Sequence, residues 1–495
     1  MNSPTYVTAA LCLALPLAFQ ATVPGASQEV MKKKQAYPPV QPAKELHFPA
    51  FEQKTLANGL RVVVIEHHEI PAVTIEMLFR AGKVLAPAAK AGLAEATAQL
   101  VREGTTTRSS QQIAQAIDSV GGNLSTYGSW DSAAALLQVT SDQLGPGLDL
   151  LADVVQRPSF PAEELERWRH QTLNNLQVQQ EDADYLANAA FERAVLADHP
   201  YGLPEDGTPE SVQALTRDDL VAFHREYYVP NEALIAVVGD VQAADAFARV
   251  ERAFGAWARG NQHEIPKVEP ERRDKPRIVV IDMPDAVQSE IRMGQIGIAF
   301  ADPDFFAADV YNSVLGGGSS SRLYQEVRNQ RGLSYSTSSG FLKAIQPGPF
   351  NASASTKTES TTEAITVMLD TMKSLGKALV PPAELEARKT YLSGVFPLQI
   401  ETPMGIADKV VEALKYGLGR EFIESYRGRI DAVTAEQVRS FAERRMHPES
   451  ALIVVVGNAA KFLPDLEKAL GPAEVIPYKE LDLLRGDLRR PKGAG

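Results

Sequence analysis

Glu95 and Gln99 stand one helical turn apart in AGLAEATAQLVREGT, residues 91–105. Side chains at i and i+4 share one face of a helix and can grip a single object between them. A carboxylate and an amide are a weak pair for a transition metal, which prefers imidazole or thiolate. Leu93, Ala96 and Leu100 form an apolar stripe on the same helix, so packing accounts for much of the pattern. The histidines offer nothing better. His67 and His68 are adjacent on a strand edge and point to opposite faces. His170, His199, His224, His263 and His447 show no ligand spacing. Gly316, Gly317 and Gly318 in LGGGSSSRL lack the Lys and second Gly of a phosphate loop. They read instead as a tight turn opening the helix SRLYQEVR, with Ser320 or Ser321 as N-cap.

The elements that must position these residues form a repeating pattern. DDLVAFHREYYVPNEALIAVVGDV begins at Asp218, and EQVRSFAERRMHPESALIVVVGNA begins at Glu436. In both, a helix with a central Phe (Phe223, Phe441) leads to a Pro (Pro230, Pro448) and an apolar strand ending in Gly (Gly239, Gly457). All three pairs share one offset of 218 residues. PAEELERWRHQTL and PAELEARKTYL repeat at nearly the same distance. Ordered matches at a constant offset mark an internal duplication, here of two homologous domains. GLRVVVIE and AVTIEMLFRAG read as strands of the first unit, RIVVIDMP and SEIRMGQIGIAF as their counterparts. Strands separated by helix pairs give an α+β fold, each domain a mostly antiparallel sheet with helices packed on one face.

The boundaries follow from composition. A 13-residue apolar run from Val7 to Phe19 falls short of the roughly 20 residues of a membrane span, and small residues follow it. This reads as a signal peptide over 1–27, with a secreted or periplasmic location, although no Lys or Arg precedes the run. Cys12, the single cysteine, lies inside it; cleavage would leave a mature chain with neither thiol nor disulfide. Residues 28–50 are a Pro/Lys-rich linker, 51–258 the N-terminal domain, 259–276 a polar interdomain linker, 277–478 the C-terminal domain and 479–495 a basic tail. A net charge of −12 argues against a nucleic-acid partner, and no span is expected in the mature chain.

With these residues in place, the chain from about 51 to 475 resembles the pitrilysin/insulinase-type zinc peptidases, in the branch of processing peptidases. The marks are LANGLRVVVIEHHEIPAV, KAGLAEATAQLVREGTTTRS, HPYG at 199–202, YYVPNEALIAVVGD at 227–240 and LGGGSSSRLYQEVRNQRGLSYS at 315–336. In that family the segment matching 91–105 carries an inverted H-x-x-E-H motif. Two imidazoles hold zinc, the Glu takes a proton from the bound water, and a Glu roughly 76 residues later completes the site. Here Glu95 stands at the first His, Ala98 at the base and Gln99 at the second His. The distal Glu falls on Asn174 or Asn175, with Asn175 the closer match. One charge and two amides do not make a zinc site, and calcium wants six or more oxygens. No metal is therefore expected in this chain.

The resemblance also implies a role for the second unit. Family members of this size often work in pairs, one subunit holding zinc while the C-terminal half of its partner supplies an Arg and a Tyr seven residues apart. The match is Arg328 and Tyr335. A guanidinium and a phenol can both donate to one developing oxyanion. The resemblance implies a protein inactive alone. It would be half of a clamshell chamber, paired with a homologous zinc-bearing subunit in a heterodimer acting on peptide substrates. The alternative is a peptide-binding or scaffold homodimer of the same fold. The glycine run is shorter than the substrate-capturing loop of the non-catalytic processing subunit, to which it corresponds only in place.

Overall fold

Residues 48–269 and 274–490 are described by the computed structural model. The expected signal peptide with Cys12, nearly all of the 28–50 linker, residues 270–273 and the last five residues lie outside the described residues.

The first sheet contains β1 (Glu52–Thr55), β2 (Arg61–Glu66), β3 (Ala72–Phe79), β4 (Asn123–Gly128), β5 (Ala133–Thr140) and β6 (Ala233–Gly239), ordered β1-β2-β6-β3-β5-β4. The second contains β7 (Arg277–Asp282), β8 (Gln288–Ile296), β9 (Ser334–Phe341), β10 (Pro349–Lys357), β11 (Leu452–Gly457) and β12 (Glu474–Pro477), ordered β12-β7-β11-β8-β10-β9. The five inner-to-far strands match one for one. β6 is parallel to β2 and antiparallel to β3, as β11 is to β7 and β8. The duplication reaches the helix caps. Thr216 and Thr434 each accept from the backbone N–H three residues on, in a capping box, and both stand at the same offset as Phe223 and Phe441.

Each domain's own helices cover one face of its sheet. On that face of the first sheet Val62, Val64, Ile75 and Ile235 meet Leu148, Leu220 and Phe223. The opposite face is closed by a helix from the other half. Val63, Ile65, Leu234 and Val238 pack against Ile406 and Val410 of the Pro403–Lys415 helix. The second sheet is treated alike: Val279, Leu452, Val454 and Val456 pack against Ala187, Ala190 and Phe191 of the Ala183–Leu196 helix. Alternate residues of one strand thus enter two different cores, and every residue of β6 and β11 is buried. This is why ALIAVVG and LIVVVG are continuously apolar rather than alternating. Each fully buried Leu, Ile or Phe contributes about 1.5–3 kcal/mol, so the exchange ties the two halves together.

Polar segments join the same cores. In the 259–276 linker, Ile265 and Val268 are buried; in the expected basic tail, Leu481 and Leu488 are buried beside the Ala183–Leu196 helix. The tail is thus docked as far as Arg490, and Arg193 donates to the Leu484 carbonyl at 2.8 Å. Asp131 joins the halves by accepting the Tyr201 phenol and, at 2.9 Å, the Ile345 N–H. Among the described residues no helix is long and apolar enough to cross a membrane.

One charged contact also lies in the exchange. Glu76 on β3 faces Asp408 on the Pro403–Lys415 helix, carboxyl to carboxyl. Burial, with Asp408 adding to it, pushes the Glu76 carboxyl up to about 8 from its usual value near 4.5. The folded protein therefore keeps a proton that the unfolded chain releases, and stability falls as pH rises through that window. The melting temperature should decline as pH rises from about 5 to 8, and Glu76→Gln should flatten that decline. An unchanged slope in the variant would remove Glu76 as its cause.

Candidate functional site

The Leu93–Leu100 helix runs beneath β4, and Glu95 enters the space where the two come closest. A Cβ at Gly128 would stand 2.7 Å from Glu95 Oε2, so a larger residue there would push the carboxylate aside. Gln99 donates to Glu95 Oε1 at 2.7 Å, the expected one-turn pair. Its own carbonyl accepts Trp168 Nε1–H at 3.0 Å, from the Ala162–Gln179 helix. Glu95 Oε2 lies 3.1 Å from the Lys83 ammonium, which also reaches Glu205 at 3.0 Å. Lys83 and Glu95 are both buried.

An internal ammonium thus neutralises the carboxylate at the first ligand position. Burial alone would pull the Lys83 ammonium down; Glu95 and Glu205 outweigh it and hold it above the ordinary lysine value. Asp206 belongs to the same cluster, pushed up by burial and by Glu95 and Glu205 against the pull of Lys83.

The expected residues separate accordingly. Glu95 and Gln99 come together. Ala98 is buried and brings no functional group. Asn174 and Asn175 are exposed on the Ala162–Gln179 helix, while Glu95 and Gln99 are engaged by Lys83, by each other and by Trp168. These residues do not fit a zinc ion. The carboxylate is committed to Lys83 and Gln99, the base is absent, and the distal position faces water. Among the described residues no group of three or more His, Cys, Asp or Glu could hold a metal. The histidines serve structure: His199 Nδ1 accepts the Tyr201 N–H at 3.1 Å while Nε2 donates to the Pro266 carbonyl at 3.0 Å. His224, pulled down to about 4 by burial, donates to the Val155 carbonyl.

Sequence reasoning passed over Lys83, Trp168 and Glu205. Lys83 left one trace, a lone cation inside the small and apolar run AGKVLA.

The second candidate pair is built from two backbone irregularities. SRLYQEVR is helical, but Tyr324–Gln330 is a π-helix rather than the regular helix expected; such wide turns concentrate at functional sites. Ser321 stands at the N-terminal boundary, yet its buried hydroxyl caps nothing. Arg328 leaves this turn and lies against two rings, 4.8 Å from the Tyr324 centroid and 5.0 Å from that of Tyr335. Its guanidinium also meets the Tyr324 phenol oxygen. Tyr335 is the second residue of β9, where the pairing with β10 slips. Ser334 faces Thr356 and Thr337 faces Ala354, so two residues oppose one. Such a bulge re-aims side chains, and Tyr335 is left 82% exposed. The structure therefore brings Arg328 and Tyr335 together, the first half-buried and the second exposed, and adds Tyr324 beside Arg328. The glycine run holds this element in place, because a Cβ at Gly316 would collide with Ser339 of β9 at 2.3 Å.

The Lys83–Glu95 pair is open to a direct test. Removing one partner of a buried ion pair leaves the other charge uncompensated, at about 3–5 kcal/mol. Lys83→Met should lower the urea-unfolding free energy by about 3 kcal/mol, and adding Glu95→Gln should restore most of it. A single variant as stable as the parent would show that the pair does not hold this site together.

Comparison with known proteins places this arrangement. Residues 61–204 match the family described as Insulinase (Peptidase family M16), and residues 214–392 match the Peptidase M16 inactive domain. An uncharacterized zinc protease of Mycobacterium leprae is 30% identical over 409 residues, covering 82% of this chain and 92% of that protein. A non-peptidase homolog of Helicobacter pylori is 25% identical over 409 residues, covering 82% of this chain and 94% of its own. The crystal structure of a peptidase M16 inactive domain from Pseudomonas fluorescens superposes with a TM-score of 0.77 at 29% identity, covering 82% of this chain and 98% of that one. With two homologous α+β domains in the order of a clamshell half, and Glu95, Ala98 and Gln99 where the inverted motif would stand, the chain belongs to the insulinase family, peptidase family M16, as a member lacking the zinc motif.

Proposed function

We propose that this chain is the non-catalytic subunit of an exported heteromeric zinc peptidase and that it lends Arg328 and Tyr335 to the partner's site. The observation that carries the reading is a contrast within one molecule. The metal position is filled by Lys83 and Glu95, while the Arg–Tyr pair is assembled, with Arg328 half-buried and Tyr335 exposed. A surface built for a substrate held elsewhere has this form.

The chemistry follows from the side chains. The partner would hold zinc and the attacking water. Arg328 and Tyr335 would donate to the peptide carbonyl oxygen as charge develops on it. Tyr324 and Tyr335 both lie against the guanidinium, which limits its reorganisation during the reaction; donors fixed in advance stabilise a transition state best. Glu205 and Asp206, beside the buried Lys83–Glu95 pair, would form part of an acidic chamber wall. The substrates would be peptides or short unfolded segments.

Affinity purification of the tagged chain from its native envelope fraction should yield a roughly stoichiometric homologue with an intact H-x-x-E-H. In that complex Arg328→Ala and Tyr335→Phe should each lower kcat by about a hundredfold, the cost of a lost oxyanion donor, without weakening assembly. Unchanged turnover would refute the shared site. Recovery of the chain only with itself would favour a peptide-binding homodimer.

A further inference from the structure

A cavity of about 300 Å³ lies in the second half, among the Phe305–Leu315, Pro382–Gln399 and Arg420–Asp431 helices and the end of β9. The ring cluster that lines it is tight: Phe300 stands 5.7 Å from Phe422, which stands 5.5 Å from Phe305. Gly340 opens it further, since no atom lies within 4 Å of where a Cβ would stand. The volume is at the lower end for small-ligand cavities and the lining is of the usual kind, apolar walls with a few polar groups.

The polar groups are not equivalent. Lys343 and Lys409 line the cavity, but both are engaged by Glu412, at 3.0 and 3.1 Å. Asp309 also lines it. One of its oxygens accepts the Tyr426 phenol at 2.7 Å. Among the described residues no Lys, Arg or His stands within ion-pair distance of Asp309, and its second oxygen, Oδ1, has no hydrogen-bond donor. Burial pushes this carboxyl up, with Tyr426, Lys343 and Lys409 opposing. A half-buried carboxylate beside an aromatic cavity wants a cation with an apolar body. An anionic ligand would have to displace Glu412 from both lysines.

We propose that this cavity binds a primary ammonium carried on an aromatic body, the ammonium on Asp309 Oδ1 and the ring between Phe300, Phe396 and Phe422. Two sources share that chemistry: a small arylalkylamine, and the free amino terminus of a peptide beginning with an aromatic residue. The site is separate from the Arg328–Tyr335 surface and needs no partner subunit.

Calorimetry on the full chain alone tests it. The probes are 2-phenylethylamine against neutral 2-phenylethanol, and the peptide amide Phe-Ala-Ala with a free against an acetylated amino terminus. Saturable binding is expected for the amine, at least about tenfold tighter than for its neutral counterpart, a gap of 1.4 kcal/mol. Asp309→Asn should erase the gap. Gly340→Leu should fill the cavity and abolish binding while the melting temperature is retained, which separates lost space from lost folding. Binding of phenylethylamine alone identifies a small-amine site, and binding of the free-terminus peptide identifies a peptide-terminus site. Equal affinity for charged and neutral probes, undiminished binding by a folded Gly340→Leu protein, or no saturable binding of either amine would overturn the proposal. Because the chain is assayed alone, failure to find a zinc-bearing partner leaves this result unaffected.

Discussion

The two sheets are each closed on their second face by a helix borrowed from the other half, and the remaining architecture depends on that exchange. Without the Pro403–Lys415 helix, Val63, Ile65, Leu234 and Val238 of the first sheet would face water. Without the Ala183–Leu196 helix, Val279, Leu452 and Val454 of the second would do so. Exposed apolar faces of that size are costly at about 25 cal/mol per Å². Neither duplicated unit is therefore self-sufficient, although each has a complete set of strands. The exchange also explains why the linker and the tail are pinned: Ile265, Val268, Leu481 and Leu488 fill the margins of the core around the Ala183–Leu196 helix.

The first half keeps the scaffold of a metal site because the fold needs it. The Leu93–Leu100 helix is buried along nearly its whole length, so it cannot be lost when the chemistry is lost. Its inward polar positions still require partners. Lys83 supplies the positive charge, Gln99 and Trp168 the hydrogen bonds, and Gly128 the clearance. A fixed ammonium in contact with Glu95 also repels an incoming cation. The electrostatics that stabilise the empty scaffold are thus the same that make it unsuited to a metal.

Much of this was legible in the sequence. The duplication showed in Phe223, Pro230 and Gly239 and their counterparts because helix, turn and strand occur in fixed order at one offset. The pairing of Glu95 with Gln99 followed from helical spacing. Local spacing could not reveal Lys83, twelve positions before Glu95 on a short 3-10 turn, because its role arises only when the chain folds back. The exposure of Asn175 was hidden for a similar reason: an alignment position fixes a residue's place on a helix, not whether the neighbouring elements close over it. The exchanged helices left only an indirect sign, the unbroken apolar runs of β6 and β11.

The two halves use one topology but differ in regularity. β4 pairs with β5 in unbroken register, and the helix before it, Ser110–Ser119, is an ordinary capped α-helix. The corresponding β9 carries a bulge, and the element before it is a π-helix. Both departures occur within about a dozen residues, and each re-aims one member of the Arg328–Tyr335 pair. Regular pairing would have sent Tyr335 or Ser336 back into the alternation, and a regular helical turn would have carried Arg328 to a different bearing from Tyr324. The confinement of both departures to the stretch that carries Arg328 and Tyr335 is what separates the second half from the first, where strand and helix keep regular geometry.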